Sequence, residues 1–263
     1  GTNCPIQDEG NNIIAQACYQ IAKEFDIEPY DEHTGKGVLR HIIGRIGQSG
    51  WMIILVTATE QLPHKEKWVE KLTERIPQVE TIVHNVNGKR TNVILGPKNN
   101  ILYGDGTITD HIKDLQFTLS PHSFFQVNPE QTTVLYDQAL EYADLKGDET
   151  VIDAYCGTGT ISLFLAHKAK HVIGIEIVEP AIINARENAQ RNGYDNTEFI
   201  VADAAVEMPK LYKAGVRPDV IVFDPIRAGC KEEVLTSAAG MEPKRIVYVS
   251  CNPATMARDI EIL

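Results

Sequence analysis

From about residue 150 the chain alternates short β-rich apolar runs with helical patterns, and few folds accommodate that alternation. The apolar runs fall at Thr150 to Ala154, Val172 to Glu176, Thr197 to Ala202, Val220 to Asp224 and Ile246 to Ser250. Helical patterns start at Ile161, run from Pro180 to Asn192, and return near Val206 to Lys213. Strands separated by helices predict a parallel sheet, so the fold class expected is α/β, a doubly wound Rossmann-like sheet. Residues 1–119 read differently, as a smaller α+β domain. It has helices over Asn11 to Phe25 and Lys65 to Arg75. Strands are expected at Val38 to Gly47, Trp51 to Thr57, Val79 to Val86, Thr91 to Leu95 and Leu115 to Leu119. Residues 120–263 form the second expected domain, entered through a helix over Pro129 to Ala143.

In such a sheet, ligands bind outside the carboxyl ends of the strands. Asp153-Ala154-Tyr155-Cys156-Gly157-Thr158-Gly159 joins the first of these strands to its helix, and its glycines allow a tight turn and close approach to a ligand. Glu176, Asp203 and Asp224 end the next three strands. An acidic residue at Glu176 can accept hydrogen bonds from ribose hydroxyls. The third glycine of the dinucleotide fingerprint is missing and no Walker lysine follows. A mononucleoside cofactor such as S-adenosylmethionine is therefore favoured over NAD or ATP.

The fifth run, Ile246-Val247-Tyr248-Val249-Ser250, ends in Cys251, and Asn252-Pro253 then forces a turn. A thiol is thus expected on the same rim as the cofactor loop, where a partly exposed, electropositive setting would make it a nucleophile. Arg227 and Arg258 are candidate neighbours. Cys18, Cys156 and Cys230 read as buried apolar residues.

Composition narrows the setting. Five scattered cysteines argue against a disulfide framework. No apolar run could span a bilayer, and the opening residues do not read as a signal peptide. A reducing, cytoplasmic location is expected. The net charge of −11 argues against a non-specific polyanion binder, so contact with nucleic acid would need a local basic surface. Arg40, His41, Arg45, Lys89 and Arg90 are candidates for it.

Ser250-Cys251-Asn252-Pro253-Ala254-Thr255-Met256-Ala257-Arg258-Asp259 resembles the nucleophile signature of the RNA uracil-5-methyltransferases. Three other segments agree in order: Ser123-Phe124-Phe125-Gln126-Val127-Asn128, Asp153 to Gly159, and Phe223-Asp224-Pro225-Ile226-Arg227-Ala228-Gly229. The resemblance implies an enzyme that transfers methyl from S-adenosylmethionine to C5 of a uridine, in 23S ribosomal RNA or else in transfer RNA. It implies Cys251 as nucleophile, with Gln126, Tyr155, Glu176, Asp203 and Asp224 toward the cofactor, Asp224 alternatively toward the uracil. The family's Asp-Pro-Pro-Arg loop has Ile226 in place of its second proline, which frees φ and adds bulk. The family's base lies beyond its nucleophile motif, no residue here matches it, and the chain is expected to be a fragment at both ends. Asn3-Cys4-Pro5 resembles the last ligand segment of an iron–sulfur cluster, but one cysteine holds no cluster, so no metal is expected. Two rivals are a methyltransferase using Cys251 only structurally and a non-catalytic RNA-binding protein.

Overall fold

The computed structural model describes residues 8–123 and 129–263. They fall into two compact units. One holds the described residues up to His111 together with Thr118–His122. The other holds Ile112–Phe117, Ser123 and the described residues from Pro129 to Leu263.

The first unit is a four-stranded sheet with two helices. Asp8 caps α1 (Glu9–Glu24), its carboxylate accepting from the Gly10 amide at 2.7 Å. The apolar stripe of α1, Ile14, Ala17, Cys18 and Ile21, is buried, as are Trp68 and Leu72 of α2 (Lys65–Arg75). Both stripes join one core with Ile53, Leu55 and Ile82 of the sheet. Strands β1 (Leu39–Ile46), β2 (Trp51–Thr57), β3 (Val79–Val86) and β4 (Lys98–Tyr103) lie in that spatial order. The β1–β2 and β3–β4 pairs are antiparallel, and the α2 crossover makes β2–β3 parallel.

Two sequence expectations change here. Thr91 to Leu95 is not a strand, and β4 begins only at Lys98. The cause lies in two buried asparagines of β3 and its end. Asn85 Nδ2 donates to the Gly96 carbonyl (2.8 Å) and its Oδ1 accepts from the Gly96 amide (2.7 Å). Asn87 Nδ2 donates to the carbonyls of Val93 (2.6 Å) and Ile94 (2.9 Å). Side-chain amides thus satisfy backbone that a ladder would otherwise have paired. A further strand unforeseen in the sequence, β5 (Ile108–Ile112), pairs with β6 (Leu115–Leu119) as a separate two-stranded sheet.

The second unit contains α3 (Pro129–Ala143) and a five-stranded sheet of β7 (Thr150–Asp153), β8 (His171–Glu176), β9 (Thr197–Val201), β10 (Val220–Phe223) and β11 (Arg245–Tyr248). Every pair is parallel and the order is β11-β10-β7-β8-β9. The connecting helices are α4 (Thr160–Ala166), α5 (Glu179–Arg191), α6 (Ala204–Lys213) and α7 (Glu232–Gly240), and α8 (Pro253–Ile262) follows β11. The chain runs outward from β7 to β9, then returns past β7 to β10 and β11. With right-handed crossovers this places α4 and α5 on one face and α6 and α7 on the other. Ile152, Ile173, Ile175, Ile221 and Phe223 pack with Met208, Val234 and Leu235 of α6 and α7. The α/β expectation of a doubly wound sheet holds. The sheet changes direction between β7 and β10, where a parallel sheet opens a crevice for ligands. Among the described residues no helix is long and apolar enough to cross a membrane.

Candidate functional site

The site is built at the carboxyl edge of the five-stranded sheet. Asp153 ends β7 with no solvent exposure. Ser162 Oγ, on α4, donates to its Oδ2 at 2.6 Å, while Oδ1 has no partner among the described residues. Burial drives this carboxyl up to about 7; the Ser162 bond opposes the rise and the nearby Asp224 charge adds to it.

The loop after β7 is shaped by two glycines with positive φ, Gly157 (+53°) and Gly159 (+80°). They do different things. A Cβ on Gly159 would stand 3.0 Å from Ala185 Cβ and 3.2 Å from the Phe199 ring, so this glycine lets α4 seat against its neighbours. A Cβ on Gly157 would meet nothing within 4 Å, so the loop is open toward a ligand there. Glu176, at the end of β8, closes the loop from the side: its Oε2 accepts from the Gly157 amide (3.2 Å) and its Oε1 from the Val178 amide (2.9 Å).

Asp203 caps α6, accepting from the Ala205 amide at 2.9 Å, and its Oδ2 accepts from Lys231 Nζ at 2.8 Å. Those two bonds, the lysine first, hold its carboxyl below the usual range. Tyr155 is half-buried against the α6–α7 core, and burial, then the adjoining Cys230, pushes its hydroxyl far above the ordinary tyrosine range. Gln126 lies outside the described residues.

Asp224 follows β10, and partial burial raises its carboxyl to about 6. Cys251 follows β11 and is exposed, whereas Cys18, Cys156 and Cys230 are buried. Asp224 and Cys251 line one cavity of about 380 Å³, together with Leu135, Gln138 and Tyr142 of α3 and Met256 of α8. Ile226 is 76 % exposed, so its bulk points to solvent.

The structure therefore gathers Asp153, Gly157 and Glu176 around the β7–β8 edge, and Asp224 and Cys251 in one cavity beside it. Asp203 and Cys251 follow the two outermost strands, four strand spacings or about 19 Å apart across the sheet. Two participants had no distinct sequence signal. Ser162 looks like any helix serine until it meets Asp153. Tyr136 is buried on α3, and burial, then the charges of Asp224 and Asp153, raises its hydroxyl well above the ordinary range.

The basic face expected on the first unit is reduced. The Arg40 side chain is almost wholly buried. It donates to both Glu32 oxygens (2.7 and 2.9 Å) and to the carbonyls of Asn87, Lys89 and Thr91. Arg45 donates to the Pro121 carbonyl at 2.9 Å. Both arginines are spent on internal carbonyls and a carboxylate, leaving Lys89 and Arg90 exposed. His122 is likewise structural, bonded to the Gly96 carbonyl (3.0 Å) and to Asn99 (3.1 Å). Among the described residues no three His, Cys, Asp or Glu side chains cluster as a metal site.

Residues 145–261 match the family described as "Methyltransferase domain". A protein of Halalkalibacterium halodurans named "uncharacterized RNA methyltransferase" is 53 % identical over 262 residues, 99 % of this chain and 57 % of that protein. One of the same description from Clostridium acetobutylicum is 51 % identical over 264 residues, again covering 99 % of this chain and 57 % of its own length. The chain thus spans a little over half the length of these curated relatives. Among solved structures, the transfer-RNA (uracil-54, C5)-methyltransferase of Pyrococcus abyssi in complex with S-adenosyl-L-homocysteine superimposes with a TM-score of 0.81. The two are 27 % identical, and the match covers 100 % of this chain and 63 % of the other. An S-adenosylmethionine-dependent methyltransferase of Agrobacterium tumefaciens, 17 % identical with a TM-score of 0.54 over 86 % of this chain and 78 % of its own, shares the fold. The second unit has the α/β Rossmann-like fold of S-adenosylmethionine-dependent methyltransferases.

Proposed function

We propose that this chain methylates C5 of a uridine in RNA, with Cys251 as a covalent nucleophile and S-adenosylmethionine as methyl donor. One observation carries the reading: an exposed thiol and a carboxylate of raised pKa share a cavity at the carboxyl edge of a methyltransferase sheet. The named relatives support an RNA substrate. The uracil-54 enzyme of P. abyssi supports C5 of uracil.

The residues fit the cofactor. Gly157 leaves open space, Asp153 offers a buried oxygen without a partner among the described residues, and Glu176 retains acceptor capacity for ribose hydroxyls beyond its two backbone bonds. Tyr155 and Gln126 are assigned to the same ligand, and Asp203 to its adenine side. When bound, S-adenosylmethionine supplies an electrophilic methyl group.

Uracil C5 is a poor nucleophile. Cys251 Sγ bonds to C6 as thiolate, and the C5–C6 π pair moves to C5 as an enolate conjugated with O4. With the cofactor bound, C5 would be the atom that accepts its methyl group, the methyl–sulfur bond breaking with its electron pair left on the sulfur of the departing thioether. Loss of the C5 proton to a base returns the electron pair, and the Sγ–C6 bond breaks to regenerate the thiolate. One difficult substitution becomes a series of easier steps. The half-buried Asp224 is assigned to orienting either the uracil edge or the methyl donor. The target base must leave its stack to enter the cavity.

The substrate assigned is 23S ribosomal RNA, with transfer RNA as the second reading on the strength of the P. abyssi enzyme. The test is a denaturing gel of the chain with S-adenosylmethionine and RNA containing 5-fluorouridine. Fluorine blocks the final elimination, so a slow band is expected, absent in Cys251→Ala. Running ribosomal and transfer RNA side by side assigns the substrate. Cofactor binding without a band on either RNA would sink the reading.

A further inference from the structure

We propose that Asp259 is a positioning residue: from α8 it holds the loop after Asp224 against the helix that starts beside Cys251, and so sets where the thiol stands. The inference rests on Cys251 being the nucleophile.

Cys251 and Asp224 end different strands, so the geometry between them depends on what ties the two strand ends together. The ties run through α8. Asn252 Nδ2 and Thr255 Oγ1, in its first turn, both donate to the Arg227 carbonyl at 3.3 Å. Asp259, one turn later, is fully buried and gathers donors from three directions. The Cys230 amide reaches its Oδ2 at 2.7 Å and the Tyr248 hydroxyl at 2.5 Å. Arg258 Nε and Nη2 reach its Oδ1 at 2.8 and 2.6 Å. Arg258 Nη2 also donates to the Ala228 carbonyl at 3.0 Å. One carboxylate therefore binds the end of the Asp224 loop, the last residue of β11 and, through Arg258, the middle of the loop.

Two features separate this from ordinary core packing. A carboxylate buried beside an apolar core is costly unless fully bonded, and an apolar residue would fill the same volume without that cost. The loop also passes α8 so closely that a Cβ on Gly229 would lie 2.6 Å from both Arg258 Nη2 and Asp259 Oδ2. Gly229 has φ +80°, a conformation glycine adopts freely. The loop's path is thus shaped around the carboxylate. Among the described residues Gly157 and Glu176 make no hydrogen bond to Asp259, so that end of the cofactor site can be read apart from the clamp, whereas Tyr155 adjoins Cys230 and stands next to it.

The test compares the parent chain with Asp259→Asn, which keeps the shape and removes the charge, and with Tyr248→Phe, which removes one hydroxyl. Three quantities are read: the rate of adduct formation on 5-fluorouridine RNA, the dissociation constant for S-adenosylmethionine, and amide hydrogen exchange. Asp259→Asn is expected to slow adduct formation about 30-fold, the scale of a sub-ångström misplacement, and Tyr248→Phe about fivefold. Cofactor affinity should fall less than the adduct rate, by no more than about threefold, because Gly157 and Glu176 make no hydrogen bond to Asp259 and only Tyr155 adjoins Cys230. Exchange should quicken together in residues 226–230 and 252–256 and stay unchanged in residues 157–162. Adduct rates equal to the parent's, or a matching loss of cofactor affinity, would overturn the proposal. If Asp259→Asn does not fold, Tyr248→Phe carries the same comparison. If the parent chain forms no adduct, the uridine reading fails. Exchange then decides alone: joint loosening of both segments upholds the clamp, and loosening of only one refutes it.

Discussion

Ser162 donates to one oxygen of Asp153 and leaves the other buried without a partner among the described residues, at the point where β7 delivers the chain to the cofactor loop. A carboxylate so placed is ready to accept from a ligand, and it weakens the fold when no ligand neutralises it.

The pH dependence follows with a definite sign. Burial raises Asp153 to about 7 and Asp224 to about 6, both above the range of an unfolded chain. The folded state therefore holds protons that the unfolded state has released. Their contribution is fully present below about pH 4 and is lost as pH rises through about 6 to 7. Asp153→Asn keeps a partner for Ser162 and removes the charge. It is expected to raise the melting temperature of the ligand-free chain more at pH 8 than at pH 5. An equal change at both values would show that Asp153 is not the titrating group.

Thiol chemistry should sort the cysteines by depth. Cys251 is exposed, whereas Cys18 is fully buried and its thiol is pushed up to about 12. Peptide mapping after brief alkylation of the folded chain should find Cys251 modified at least tenfold faster than Cys18, Cys156 or Cys230. Cys251→Ala should leave the melting temperature within about 1 °C, since an exposed side chain adds little to the core. Comparable labelling at Cys156 would mean that the cofactor loop opens readily.

Glu176 holds two backbone amides that shape the cofactor loop. Glu176→Ala should weaken S-adenosylmethionine binding by tenfold or more through loss of both a ligand acceptor and the loop's lateral tie. Calorimetric titration reads it directly. Unchanged affinity would leave Glu176 as a solvated strand end.

Asn85 stands in for a missing ladder at Gly96. Asn85→Ala strands a buried amide and a carbonyl, and is expected to cost about 2–3 kcal/mol in urea unfolding. A loss under about 0.5 kcal/mol would mean that water replaces the side chain without penalty.

Local pattern settled much of this protein in advance. Apolar periodicity located α2 and β3, and strand–helix alternation required a parallel sheet with the Asp153–Gly159 loop, Glu176, Asp224 and Cys251 on one edge. Those inferences work because strand ends and turn residues are local properties of the backbone. Partnership is not local. Thr91 to Leu95 reads as a strand by composition, yet Asn87, just past β3, claims two of its carbonyls, and Asn85 claims Gly96 beyond it. Arg40 reads as a surface cation, yet it is enclosed by Glu32 and three carbonyls. Asp153 and Asp203 read alike as acidic strand ends. Tertiary contact makes the first a raised, half-bonded carboxyl and the second a lowered one tied to Lys231. Which carboxylate is charged, which cation is free and which thiol is exposed depend on groups far apart in the chain. Only the fold brings those groups within bonding distance.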